Sequence, residues 1–278
     1  TIEVLEKYES EAELAQAMKG VQALIFRRDK VCSQTIAQAD DLKIIVRAGA
    51  GYDNIDLEAA TKAGVVVMNT PGQNANAVAE LAIGLMIYMA RNQFNPSTGG
   101  EIAGKTLGIQ GFGNVGSLVA AKALALGMKV RAFDPVKSDE EMLVRGVEPT
   151  SSVKTLYADC DYISLNLPLV TVTERSVGYD LLSAMPKGGV LINTARKEIV
   201  DESGLERALE ERSDIKYASD VAPDNYAALR EKFGLRVYAN SKKMGAQTAE
   251  ANLNAGLAAA RQIVDYFETG NVKFQVNK

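Results

Sequence analysis

The chain reads as an α/β protein of two Rossmann-like, doubly wound parallel-sheet domains with a cleft between them. Short β-branched runs alternate with amphipathic helical patterns along most of its 278 residues, a length that accommodates two domains. A glycine-rich loop, Gly111-Phe112-Gly113-Asn114-Val115-Gly116, stands where a short apolar run turns into a helical pattern. Asp134 then closes the next apolar run, 128–133, as the acidic residue of a dinucleotide fingerprint should.

In chain order, Ser10 is the expected N-cap of a helix over 11–19, followed by strands at 23–26 and 43–46. A helix over 57–62 leads to a strand at 65–68. A long helix over 75–91 is apolar on most of its surface, through Val78, Ala82, Leu85, Met86 and Met89, which suits a core or an interface between domains or subunits. Beyond the glycine loop a helix starts near Asn114 and covers 117–125; strands follow at 130–133, 162–165, 190–193, 217–219 and 237–239, with a helix over 202–211. A final helix over 249–268 has an apolar stripe that can pack back on the first domain. Residues 1–71 with 247–278 are thus expected to form a discontinuous substrate domain, and 72–246 the cofactor domain, with linkers near 69–71 and 244–248.

Apolar content of 47% and charged content of 24% are those of a soluble globular protein. A net charge of −4 argues against nucleic acid or an anionic membrane as partner, and no apolar run approaches the ~20 residues of a membrane span. No signal-peptide pattern opens the chain. Cys32 and Cys160 lack C-x-x-C spacing, which speaks against a disulfide or a metal site and for a reducing cytoplasm. The chain has no histidine, so proton transfer near neutral pH must use another group.

The glycines have separate roles. Gly111 makes the tight turn, Gly113 lets backbone amides approach a pyrophosphate, and Gly116 lets helix and strand pack closely. The diphosphate would sit at the positive end of the helix, beside Phe112, Asn114 and Val115. Asp134 would accept from the adenine-ribose hydroxyls and repel a 2′-phosphate, favouring NAD over NADP, with Lys137 the one nearby cation to soften that choice.

Several stretches together resemble the D-2-hydroxyacid dehydrogenase family. They are Arg47-Ala48-Gly49-Ala50-Gly51-Tyr52-Asp53-Asn54-Ile55-Asp56, then Asn69-Thr70-Pro71-Gly72-Gln73-Asn74 running into Ala77-Val78-Ala79-Glu80. Gly104-Lys105-Thr106-Leu107-Gly108, Leu165-Asn166-Leu167-Pro168, and Asn193-Thr194-Ala195-Arg196 with Val200-Asp201-Glu202 continue the series to Ala246-Gln247-Thr248-Ala249-Glu250-Ala251. The order matches over nearly the whole chain. It looks most like a short, lysine-type member of the phosphoglycerate dehydrogenase branch, without a regulatory extension. Three departures stand out: the family's Pro-His is Lys242-Lys243, the glycine after Thr-Ala-Arg is Lys197, and Asp220-Val221-Ala222-Pro223 runs into Asp224-Asn225 with no evident glutamate.

Arg196, after a strand, suits a substrate carboxylate through two parallel hydrogen bonds. Asp220, also at a strand end, reads on its own as a turn cap; the resemblance makes it the aspartate that binds the nicotinamide carboxamide. The Gly49-Ala50-Gly51 turn offers amides to a carboxylate, with Ala50 and Gly51 nearest the substrate, and Asn74 serves as substrate contact, helix N-cap or both. Arg27, Arg28 and Lys30 lie where the family's phosphate-binding arginine resides. The resemblance also implies cofactor contacts at Asn166, Leu167, Pro168, Thr173, Thr194, Ala195 and Gly245. Lys243, five residues before Thr248, takes the place of the histidine as acid-base group. A lysine needs no carboxylate to fix a tautomer, and burial beside Arg196 would lower its value from about 10.4.

The function so implied is NAD-dependent oxidation of 3-phospho-D-glycerate to 3-phosphohydroxypyruvate, the start of serine synthesis, by a homodimer joined partly through helix 75–91. The nearest alternative is a reductase of glyoxylate, hydroxypyruvate or another 2-oxo acid. A third is an NAD-sensing interaction protein, to which the lack of histidine lends weight.

Overall fold

The computed structural model describes residues 1–278, the side chain of Glu11 excepted. The chain divides into two compact units, residues 1–74 with 248–278, and residues 75–247, against the breaks at 71/72 and 246/247 read from sequence.

In the first unit the Ser10 side chain accepts the Glu13 amide and caps α1, Glu11–Ala17. There follow β1 (Ala23–Phe26), α2 (Ser33–Ala37), β2 (Ile44–Arg47), α3 (Leu57–Lys62) and β3 (Val66–Asn69), the strands forming a parallel sheet in the order β1-β2-β3. That order never reverses, so right-handed crossovers place α2 and α3 on one face. There Ile45 and Val67 meet Ile36 and Ala60, while the alternate residues Ile44, Val46 and Met68 face Ala255 and Ala259 of the C-terminal helix, Ala249–Thr269. The chain's end then covers the free edge of β3: the Val276 amide donates to the Val67 carbonyl over 2.8 Å, and Asn277 Oδ1 accepts the Val67 amide over 2.7 Å.

The second unit begins with α4, Ala75–Ala90. It continues through β4 (Thr106–Gln110), α5 (Asn114–Ala125), β5 (Lys129–Phe133), α6 (Asp139–Leu143), β6 (Glu148–Pro149), α7 (Val153–Asp159), β7 (Tyr162–Leu165) and α8 (Tyr179–Ala184). It closes with β8 (Val190–Asn193), α9 (Glu202–Glu211), β9 (Lys216–Ser219), α10 (Tyr226–Phe233) and β10 (Val237–Ala239). The seven strands are parallel in the order β10-β9-β8-β7-β4-β5-β6, which reverses between β4 and β7. Ligands bind at such a switch point, beyond the carboxyl ends of the strands. Both faces are covered, one by α4 and α5 and the other by α7, α8, α9 and α10, so β7 and β8 are buried throughout.

Helices α2, α6, α7, α8 and α10 and the two-residue β6 are not evident in the sequence pattern. None of these helices exceeds eight residues, about two turns, too few for a periodic stripe to stand out. The apolar surplus of α4 has its explanation inside the unit. Ala82, Leu85, Met86 and Met89 are buried in a cluster with Val119, Ala120 and Ala123 of α5, and the outward face carries Asn76, Glu80, Gly84 and Ile87. That surplus therefore does not by itself call for a second subunit. Among the described residues no helix is long and apolar enough to cross a membrane, and no cluster of His, Cys, Asp and Glu could hold a metal ion.

Candidate active site

Six loops leave the carboxyl edge of the seven-stranded sheet. They hold Gly111–Gly116 after β4, Asp134 after β5, Asn166–Pro168 after β7, Thr194–Arg196 after β8, Asp220 after β9 and Lys243 after β10. Parallel strands lie about 4.8 Å apart, so one sheet edge brings together residues scattered over more than a hundred positions of sequence.

The glycine loop is shaped by close approach. Gly111 has φ +94°, and a Cβ there would lie 2.6 Å from the Asn166 carbonyl oxygen. A Cβ on Gly116 would penetrate the Gly111 carbonyl, whereas one on Gly113 would meet nothing within 4 Å. The first and third glycines thus serve the protein's own packing, and the middle one leaves room on the outer side. No side chain caps α5, so its first-turn amides at Asn114, Val115 and Gly116 point toward that room. Oδ1 of Asn166 and Oγ1 of Thr194, at the ends of β7 and β8, are buried polar atoms without a hydrogen-bond partner among the described residues. An uncapped helix start, an open middle glycine and orphaned polar atoms at the switch point fit a dinucleotide.

Asp134 holds the loop as well as facing it. Its Oδ2 accepts the Phe112 amide over 2.7 Å, and its Oδ1 accepts those of Val136 (2.9 Å) and Lys137 (3.2 Å). Each carboxylate oxygen has two acceptor sites, so Oδ2 retains one beyond the Phe112 amide. The expectation about nearby cations needs correcting: Lys137 is paired with Glu141 at 3.0 Å, and a second cation, Arg145, stands 5.8 Å from the Phe112 ring centroid.

Beyond β7, Thr173 Oγ1 donates to the Pro168 carbonyl over 2.6 Å and accepts the Val170 amide, so it ties the 168–173 loop that carries on from Leu167. At the end of β8, Asn193 Oδ1 accepts the Ala195 amide over 3.0 Å, and its Nδ2 donates to the Arg196 carbonyl over 2.9 Å. Asn193 is thereby the clamp that presents Thr194, Ala195 and the half-buried Arg196. Asp220 is 1% exposed. It accepts the amides of Met244 (2.7 Å, Oδ1) and Gly245 (2.9 Å, Oδ2) and the Asn240 side chain (3.0 Å, Oδ1), leaving one acceptor site on Oδ2.

The first unit offers a cationic edge. Arg27 and Arg28 follow β1, Arg47 ends β2 opposite Phe26, and Arg47 Nε donates to the Arg27 carbonyl over 3.2 Å. Burial and then the charge of Arg28 lower the Arg27 pKa from its ordinary value. A Cβ on Gly49 would strike the Arg47 guanidinium, so this turn can only be glycine while that arginine lies across it. Asn69 Nδ2 donates to the Ala50 carbonyl over 2.6 Å, and among the described residues the amides of Ala50 and Gly51 donate to no protein group. Asn74 is the last residue of this unit before α4. Arg47 and Asn193 were in view only as members of motifs; a strand-end position was the available sign of their roles.

The pattern described as "D-isomer specific 2-hydroxyacid dehydrogenase, NAD binding domain" matches residues 85–241, more than half of the chain. The chain belongs to the D-isomer specific 2-hydroxyacid dehydrogenases. A hydroxypyruvate reductase of Thermotoga maritima is 36% identical over 94% of this chain and 90% of its own length. A D-3-phosphoglycerate dehydrogenase of Methanocaldococcus jannaschii is 36% identical over 90% of this chain, which spans only 51% of that relative. The crystal structure of the NAD⁺-bound 3-phosphoglycerate dehydrogenase of Entamoeba histolytica superposes with a TM-score of 0.90 at 46% identity, covering 99% of this chain and 88% of that one. This dehydrogenase is accordingly NAD-dependent and resembles the phosphoglycerate dehydrogenases. Two of its departures from the family pattern meet in space: Lys197 forms an ion pair with Asp224. Lys243 is exposed on the loop pinned by Asp220.

Proposed function

We propose that this dehydrogenase oxidises 3-phospho-D-glycerate to 3-phosphohydroxypyruvate with NAD, starting serine synthesis, and catalyses the reverse reduction. The observation that carries the reading is the gathering of Arg27, Arg28 and Arg47 at one sheet edge, a guanidinium-rich setting suited to a phosphate. The names of the Entamoeba histolytica and Methanocaldococcus jannaschii relatives support it.

In this reading Arg196 holds the substrate carboxylate, assisted by the Ala50 and Gly51 amides, and the arginine cluster takes the phosphate. Bound NAD supplies the acceptor for the hydride from the 2-carbon. Lys243 takes up the hydroxyl proton during oxidation and returns it to the ketone oxygen during reduction. Asp134 and the start of α5 hold the ribose and diphosphate, Asn166, Leu167, Pro168, Thr173, Thr194, Ala195 and Gly245 line the remainder, and the free acceptor site of Asp220 receives the carboxamide.

The Thermotoga maritima relative favours a second reading, reduction of hydroxypyruvate or glyoxylate. A panel of 2-oxo acids assayed by NADH depletion separates the two. We expect 3-phosphohydroxypyruvate to exceed hydroxypyruvate in kcat/KM by about tenfold or more, the worth of one charge-assisted hydrogen bond. Arg27→Ala and Arg28→Ala should erode that margin. Equal use of both compounds, with neither arginine mattering, would establish the reductase.

We also propose a homodimer in the reducing cytosol. Phe94, 69% exposed and packed edge-on against Tyr88, together with the exposed Ile87, supports an association surface at the end of α4. A monomeric mass in solution at micromolar concentration would exclude the dimer.

A further inference from the structure

We infer that Asn240 is a positioning residue for the loop that carries Lys243, acting through Asp220. The inference rests on the reading of Lys243 as the acid-base group.

Asn240 follows β10, and its amide donates to the Ser219 carbonyl over 3.1 Å, continuing the register with β9. Its side chain is 7% exposed. Nδ2 donates to Asp220 Oδ1 over 3.0 Å, and Oδ1 accepts the Tyr238 hydroxyl over 2.9 Å. Asp220 in turn accepts the amides of Met244 and Gly245. One buried carboxylate therefore closes the loop at both ends, through a side chain at 240 and two amides at 244 and 245, with Ser241, Lys242 and Lys243 exposed between.

The direction of this chain is dictated by chemistry. An ionised carboxylate only accepts, so Asn240 must turn its Nδ2 to Asp220 and its Oδ1 to Tyr238, whose hydroxyl must then donate. The Tyr238 ring is itself held edge-on by Tyr88, with centroids 4.8 Å apart. At the far end a Cβ on Gly245 would lie 2.9 Å from Asp220 Oδ2 and 3.3 Å from Val78 Cγ2, so the backbone is pressed close and has little room to shift. The Met244 amide belongs to the peptide bond that leaves Lys243, and its bond to Asp220 sets where the lysine backbone lies. Loss of the Asn240 donor would loosen Oδ1 and the Met244 peptide bonded to it, while Oδ2 stays anchored by the Gly245 amide. Proton transfer is sensitive to such displacement, since a misplacement of about 1 Å costs on the order of a hundredfold in rate.

Steady-state kinetics and NADH fluorescence titration of the full chain test this. Asn240→Leu should lower kcat by about tenfold or more while substrate KM and NADH affinity stay within about threefold. Tyr238→Phe, which removes one hydroxyl and keeps the ring, should lower kcat in the same sense by less, and carries the test if Asn240→Leu does not fold. In a Lys243→Ala chain rescued with ethylamine, Asn240→Leu should add no further loss, because a diffusing amine does not depend on the loop. The inference is overturned if kcat of Asn240→Leu and of Tyr238→Phe stays within about twofold of the parent. It is overturned equally if Asn240→Leu costs as much in the amine-rescued chain. A fully active Lys243→Ala chain would sink the acid-base reading and this inference together; an inactive one beside an unaffected Asn240→Leu chain sinks this inference alone.

Discussion

The amide of Phe112 donates to Oδ2 of Asp134 over 2.7 Å, so the acid that follows β5 also holds the glycine loop that follows β4. Asp134→Ala should therefore weaken NADH binding by about tenfold or more, losing the loop tether along with the ribose acceptor. Asp134→Asn keeps an acceptor oxygen but removes the charge, and should raise the use of NADPH relative to NADH. Fluorescence titration with both cofactors checks this; an unchanged NADH to NADPH ratio in both variants would refute the placement of Asp134 at the ribose.

Gly116 and Gly113 should respond oppositely to alanine. A Cβ at 116 would enter the space of the Gly111 carbonyl and lie 3.0 Å from Ile109 Cγ2, so Gly116→Ala should cost about 1–3 kcal/mol or more of stability by overpacking. At 113 the same atom meets nothing within 4 Å, so Gly113→Ala should leave the melting temperature nearly unchanged and weaken NADH binding. Thermal melts and NADH titration of the pair separate protein packing from cofactor cradle.

Lys243→Met should lower turnover by about 10²–10⁴-fold, the usual worth of a general acid-base group, with NADH affinity retained. Asp224→Asn removes only the exposed partner of Lys197 and should change turnover little. If the Met variant keeps most of its rate while the Asn variant loses it, the proton passes through Asp224 instead.

Acid should weaken the fold in part through Asp214. Its carboxylate is held below the ordinary aspartate range chiefly by hydrogen bonds from Arg212, against the opposing effect of burial, with help from the Gly188 amide. A depressed folded-state pKa means that this stabilisation is present above the unfolded value of about 3.9 and is lost as pH falls toward the folded one. The melting temperature of Asp214→Asn should fall less steeply than that of the parent between about pH 5 and pH 2. Parallel curves would assign the acid sensitivity elsewhere.

What could be read in advance was what depends on neighbours in sequence. The strand, turn and helix around Gly111–Gly116 are contiguous, and each glycine answers a demand of the local backbone, so spacing alone located them. Strands β7 and β8 were legible because burial on both faces demands an unbroken apolar run. The short helices were not, since one or two turns carry too little period to distinguish from a loop.

The sequence by itself determined the α/β class, the parallel strands, the dinucleotide loop with Asp134, and the presence of Arg196 and Lys243 after strands in a chain without histidine. Tertiary structure decided which partners those residues have. Only the folded chain sets Arg47 against Arg27, spends the apolar face of α4 on α5, joins Lys197 to Asp224, and ties Asn240, Met244 and Gly245 to one carboxylate. Each of these pairings bridges twenty or more residues or joins separate elements. A hydrogen bond or a packed face has no sequence period when its two halves are brought together by the sheet rather than by the local backbone.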